Sequence, residues 1–109
     1  MAGTTVKLEV YLPPQTLEPL RQALDQAGLC RVGNYSHVMA VQPSRGYWKS
    51  LEGSDPWLGT VGELTQADEL KVEFPGPAER AEEAAAIIRR VHPYEEPVYY
   101  IIPVQNDIF

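Results

Sequence analysis

The chain has 109 residues, a formal net charge of −6 and one cysteine. An acidic surface repels phosphate backbones, which disfavours nucleic acid as a partner, and a lone thiol excludes an intrachain disulfide and fits a reducing compartment. No apolar stretch nears the ~20 residues of a membrane span and no basic-then-apolar leader opens the chain, so one soluble, cytoplasmic domain over 1–109 with no membrane partner is expected.

The first element is VKLEVYLP (6–13), in which Val6, Leu8, Val10 and Leu12 alternate with Lys7, Glu9 and Tyr11. That period of two predicts a strand with one buried face. TLEPLRQALDQAG (16–28) predicts a helix with Thr16 as its cap, Pro19 in the first turn, a stripe of Leu17, Leu20, Leu24 and Ala27, and Gly28 as its stop. YSHVMAVQP (35–43) reads as a second strand and 44–63 as a long loop. ELKVEF (69–74) reads as a third strand. Pro77 suits the first position of a second helix over 78–91, with Glu79, Glu82 and Glu83 near its positive end, Arg89 and Arg90 near its negative end, and a core face of Ala81, Ala84, Ile88 and Val91. PVYYIIPV (97–104) reads as the last strand.

The order strand, helix, strand, strand, helix, strand predicts an α+β fold: a ferredoxin-like split βαβ sandwich (βαββαβ) with both helices on one face of a four-stranded antiparallel sheet. The first and third strands are then central, and Pro103 suits an edge. The last strand is apolar on both sides, with Val98, Tyr100 and Ile102 against Tyr99 and Ile101. Open edges and apolar faces invite a second chain, so a homo-oligomer is expected. The alternative is that the tail QNDIF covers this surface with Ile108 and Phe109.

Three segments carry a family resemblance. AGLCRVGNYSHV (27–38), GSDPWLGTVGEL (53–64) and HPYEEPVYY (92–100) together resemble the small domain inserted in the Ngg-one-interacting-factor-three-like (YqfO-type) proteins, and the likeness extends over nearly the whole chain. It implies a fold like CutA and the PII signalling proteins, and a homotrimer. The two-metal centre of the larger family members belongs to flanking domains and is not implied for these residues. The sequence departs from the family pattern at Leu29-Cys30, where a small residue and a glycine are usual, at Val38, where a cysteine is common, and at Tyr99-Tyr100, which stands for tyrosine-aspartate.

The densest group of chemistry-bearing residues is HPYEEP (92–97). Residues before proline are pushed to extended conformations, so His92, Tyr94 and Glu96 should share a side with Glu95 opposite. Carboxylates so placed cannot face a common gap as a glycosidase pair does. The leading reading is a stiff joint between helix and strand; a ligand-contacting wall is the second. A divalent metal ion would need His37 beside His92, with further ligands from other subunits. Arg45, Tyr47, Trp48 and Lys49 make either an anion- or nucleotide-binding wall or an arm that packs, with Trp57, on a neighbouring subunit. The glycines of 53–62 match neither a P-loop nor a dinucleotide fingerprint. Cys30 has no partner at a catalytic spacing and reads as a small apolar residue.

These readings combine into a non-enzymatic CutA/PII-like module that takes a small molecule or metal in inter-subunit clefts and possesses a regulatory role by fold analogy. Its wall is expected from His37, His92, Tyr94, Glu95, Glu96, Arg45 and Trp48, with the 44–63 loop closing over it. The alternatives are a metal-assisted hydrolase with His37 and His92 as ligands and a glutamate as base, and a purely structural assembly protein.

Overall fold

A computed structural model describes residues 5–105; the expected cover by Ile108 and Phe109 lies outside them. Strand β1 (Thr5–Leu12) leads through a 3-10 turn (Pro14–Thr16) into helix α1 (Leu17–Gln26). Strands β2 (Ala40–Lys49) and β3 (Leu64–Pro77) form a hairpin, a second 3-10 turn (Ala78–Arg80) opens helix α2 (Ala81–Val91), and β4 (Tyr99–Val104) ends the order. The strands form one antiparallel sheet in the order β2-β3-β1-β4. This is the α+β, ferredoxin-like split βαβ arrangement, with β1 and β3 central as the pattern predicted.

Alternation sets the core. Val6, Leu8, Val10 and Leu12 of β1 and Val72 and Phe74 of β3 are buried against Leu20 and Leu24 of α1 and Ala84, Ile87 and Ile88 of α2. The other face of the two central strands is a closed ring of charge. Lys7 lies 3.1 Å from Glu9 and 3.4 Å from Glu73, and Lys71 lies 3.0 Å from Glu73 and 3.8 Å from Glu9. Tyr100, paired with Glu9, flanks the ring on the same face and is 52% exposed. The sheet face away from the helices is therefore polar at its centre and apolar along the β4 rim.

Both helices are entered differently from expectation. Thr16 makes no side-chain cap and already has helical angles (φ −85°, ψ −13°). Its amide donates to the Pro13 carbonyl at 2.9 Å, within the 3-10 turn that leads into the helix. The exit of α1 follows the sequence. Gly28 has φ +76°, its amide donates to Asp25 O and the Leu29 amide to Leu24 O, both at 2.9 Å. This is a Schellman closure, sealed by the buried pair Leu24 and Leu29.

The expected strand over 35–43 is displaced. Val32 and Tyr35 exchange two backbone hydrogen bonds around Gly33 and Asn34, and His37 takes φ +58°, a left-handed angle that ends extension. The strand begins only at Ala40 and runs on to Lys49, so residues 44–49 of the expected 44–63 loop belong to it. Its partner β3 starts at Leu64, not at 69. Because β1 ends at Leu12 opposite Leu70, residues 64–69 and 44–49 continue past the sheet as a two-stranded arm. The arm stretches the molecule to 50 × 23 × 21 Å and its radius of gyration to 15.1 Å, against about 13 Å for a compact chain of this length. Both bounding strands carry a proline, Pro43 in β2 and Pro103 in β4.

Candidate functional site

The joint between α2 and β4 meets the arm at one place. His92 ends α2 in an extended conformation (φ −69°, ψ 132°), as a residue before proline should. Its ring is buried and both nitrogens are engaged. Nε2 lies 2.6 Å from the Tyr11 carbonyl, and Nδ1 accepts the Tyr94 amide at 3.2 Å. A carbonyl only accepts and an amide N–H only donates, so the ring is neutral with its proton on Nε2. Burial pushes the imidazole below its usual range, against the smaller opposing pulls of the Tyr11 carbonyl and the Glu69 charge.

The next turn places Tyr94 at the centre of an aromatic group. Its ring centroid is 4.7 Å from His92, 5.4 Å from Trp48 of β2 and 5.7 Å from Trp57 of the arm tip, all tilted. These are favourable edge-to-face separations. The Tyr94 hydroxyl donates to Glu69 Oε2 at 2.9 Å. Burial, reinforced by that carboxylate, drives the phenol well above its ordinary value, so it acts as a donor and not as a base. Glu69 lies over Gly46 of the paired strand. A Cβ at position 46 would come within 2.6 Å of Glu69 Cδ, so the glycine leaves room for the carboxylate.

The tip of the arm is fastened to the joint. Glu95 Oε1 accepts the Asp55 amide at 2.9 Å. Ser54 closes a turn onto the Leu51 carbonyl, and Gly53, Gly59 and Gly62 all have positive φ (96°, 103° and 87°). The glycines thus serve tight turns. Between arm, tip and joint lies a cleft of about 510 Å³, walled by Tyr11, Tyr47, Trp48, Trp57, Tyr94 and Val98 and bordered by Arg45, Lys49, Glu69, Glu95 and Glu96.

Five of the expected wall residues, Arg45, Trp48, Tyr94, Glu95 and Glu96, therefore line one cleft. His92 stands behind Tyr94 as a buttress. His37 is elsewhere: its Nδ1 is 2.8 Å from Arg21 Nη1 and its Nε2 is 3.5 Å from Asp25 Oδ2. Within one chain the two histidines share no partner, and no group of three or more His, Cys, Asp or Glu among the described residues could hold a metal ion. Two further expectations are corrected. Residues 44–49 do not form a lid loop but a strand of the arm. Glu95 and Glu96 do not face opposite ways; both border the cleft, because 94–96 bend and Glu95 is drawn to the Asp55 amide. Sequence reasoning missed Glu69 and Gly46. Glu69 follows Asp68 in a polar run, and only its 7% exposure distinguishes it from a solvated acid. Cys30 is buried, and desolvation raises its thiol to about 12, which makes it inert.

No family model matches the chain. A GTP cyclohydrolase 1 type 2 homolog of Bacillus subtilis (strain 168) is 42% identical over 102 residues, which are 92% of this chain and 27% of that protein. The homolog of the same name from Halalkalibacterium halodurans is 35% identical over 101 residues, 93% of this chain and 27% of the relative. A Bacillus cereus protein related to NIF3 superposes with a TM-score of 0.83 at 30% identity, over 97% of this chain and 27% of that one. The chain corresponds to one domain of the NIF3-related (YqfO-type) proteins. It spans 27% of the length of the curated relatives it matches. The fold of this NIF3-type domain is CutA/PII-like: CutA of Archaeoglobus fulgidus gives a TM-score of 0.67 at 14% identity, covering 94% of this chain and 85% of CutA. B. subtilis GlnK gives 0.63 at 15% identity, over 94% of this chain and 86% of GlnK. No helix among the described residues of the domain is long and apolar enough to cross a membrane.

The state of His92 has a measurable consequence. Burial holds its folded-state value below the ordinary imidazole value of about 6.5, so the unfolded chain takes up the proton first as pH falls. The associated stability is complete above about pH 6.5 and is lost as pH drops through the folded value, at up to about 1.4 kcal/mol per pH unit. Urea midpoints should fall between about pH 7 and about pH 5 in the parent protein, and that part of the slope should vanish in His92→Gln. An unchanged slope in the variant would assign the effect to other groups.

Proposed function

We propose that the domain is a non-catalytic, homotrimeric, cytoplasmic module that binds a small ligand in the cleft beside Tyr94 and reports its occupancy to a partner process. The observation that carries this reading is the cleft itself, where Trp48 and Trp57 gather on Tyr94 at the meeting of arm and joint. Small-molecule sites are concave and largely apolar with a few placed polar groups, and this cleft has that composition. Trp48 and Tyr94 form its wall, Arg45, Glu95 and Glu96 its polar rim, and His92 fixes Tyr94 from behind. A ligand touching Trp57 or Glu95 would act on the Glu95–Asp55 tie, and so on the posture of the arm tip.

The trimer reading is supported by apolar surface that one chain leaves in water. Tyr47 (59%), Leu51 (69%) and Leu64 (66%) are exposed on the arm, and Val98 (50%) and Tyr100 (52%) on the β4 side. Patches of this kind mark contact surfaces. A sister copy laid along them would turn the half-open cleft into an inter-subunit pocket. A metal at His37 and His92 would in turn need donors from such a copy and the release of one His92 hydrogen bond.

Native mass spectrometry tests the proposal. The expected result is a particle of three 12.2 kDa chains with a small co-purifying mass that Trp48→Ala removes without changing subunit number. A monomer at high protein concentration, or an occupant indifferent to Trp48, would overturn it.

A further inference from the structure

We propose that the cleft selects an organic ammonium ion, with Glu69 as the counter-charge and Trp48, Trp57 and Tyr94 as the cage. The inference rests on the reading of the cleft as a ligand site and names the chemical class of its ligand.

The decisive group is Glu69. It is only 7% exposed, yet it lines the cleft. Among the described residues it has no ion-pair partner; its one described hydrogen bond comes from the neutral hydroxyl of Tyr94 onto Oε2. A largely buried side chain whose carboxylate has no cation beside it is a favourable counter-charge for one that enters the cleft. The two cations bordering the cleft do not fill this role. Arg45 is turned to Asp68 at 3.6 Å, and Lys49 is exposed on the same alternating face of β2 as Arg45. The face that carries Glu69 presents Ser44, Gly46 and Trp48 instead. Gly46, lacking a Cβ, lets the carboxylate of Glu69 settle against its strand at the cleft wall.

The aromatic groups give the second requirement. Trp48 and Trp57 both lean on Tyr94, with centroids 5.4 Å and 5.7 Å from it. The faces of indole and phenol rings attract a cation electrostatically, most strongly when it is desolvated. Rings beside a buried carboxylate suit an alkylated or long-chain ammonium, whose carbon sheath packs on the rings while its charge meets Glu69. A bare divalent ion is a poor fit, because it needs several oxygen or nitrogen donors converging at once, and the described residues offer no such group. A simple anion would be opposed by Glu69, Glu95 and Glu96.

The test is titration of the 109-residue chain with tetramethylammonium chloride and with spermidine hydrochloride, followed by tryptophan fluorescence and calorimetry at constant ionic strength. Saturable binding of at least one probe is expected, weakened about tenfold or more in Glu69→Gln and in Trp57→Leu. Trp57 is 48% exposed, so its variant tests the cage even where Glu69→Gln fails to fold. Absence of saturable binding by both probes, or equal affinity in a folded Glu69→Gln or Trp57→Leu protein, refutes the proposal. Saturable binding of naphthalenesulfonate that Trp48→Ala abolishes, with no ammonium binding, also refutes it, but leaves the cleft a ligand site.

Discussion

Tyr94→Ala should destabilise the domain by about 3 kcal/mol and empty the cleft. The estimate sums two physical losses. Three ring contacts vanish, with Trp48, Trp57 and His92, each worth about 0.5–1.5 kcal/mol beyond burial. The hydrogen bond to the Glu69 carboxylate also goes, and bonds to charged groups contribute about 1.5–3 kcal/mol. Tyr94 is only partly buried, which holds the total below the upper sum. Tyr94→Phe separates the two parts: it keeps the rings, leaves Glu69 without its donor, and should cost about 1–2 kcal/mol. Urea unfolding of the three proteins gives the comparison. Equal stability of the Phe and Ala variants would mean that the aromatic group contributes nothing and that the joint is held by Glu69 alone.

Phe74→Ala is expected to have the largest effect on stability, about 3–5 kcal/mol. Phe74 is 1% exposed, pairs with Leu8 across the two central strands and is the largest fully buried side chain among the described residues. Its removal opens a cavity between sheet and helices that rigid neighbours cannot collapse to fill. That loss is a large share of the 5–15 kcal/mol typical of a domain, so the urea midpoint should move far. Phe74 does not line the cleft, so the affinity for any occupant should be unchanged while the variant remains folded. A loss under about 1 kcal/mol would show that the core repacks freely around position 74.

The contrast between these two positions explains what could be read from the residues alone. β1, α1 and α2 are legible because each has water on one side and core on the other, so hydrophobic period reports element type, whereas β4 is legible from its run of β-branched and aromatic residues. The arm is not. Its residues 64–69 and 44–49 do alternate in exposure, but the less exposed face carries Ser44, Gly46, Thr65 and Glu69 beside Trp48 and Ala67, so no run of apolar residues at a period of two marks the strands. The strand misplaced to 35–43 failed for a local reason, the left-handed turn at His37. Gly28 was legible because its conformation is intrinsic to glycine, whereas the Thr16 cap was displaced by a 3-10 turn that no pattern announces.

The candidate site divides in the same way. Tyr94, Glu95 and Glu96 drew notice because prolines fix the chain around them, and Arg45 and Trp48 because cations and aromatics stand together in an acidic protein. Glu69 escaped because its burial is made by Tyr94, 25 positions later in the chain. His37 and His92 were paired on residue type; the fold gives them separate neighbours.

Pro43 and Pro103 occupy the two outermost strands. Each removes one donor from the row that a newcomer would use to extend the ladder. A further strand laid along either rim would therefore meet a gap in the ladder, which disfavours unbroken edge-to-edge growth.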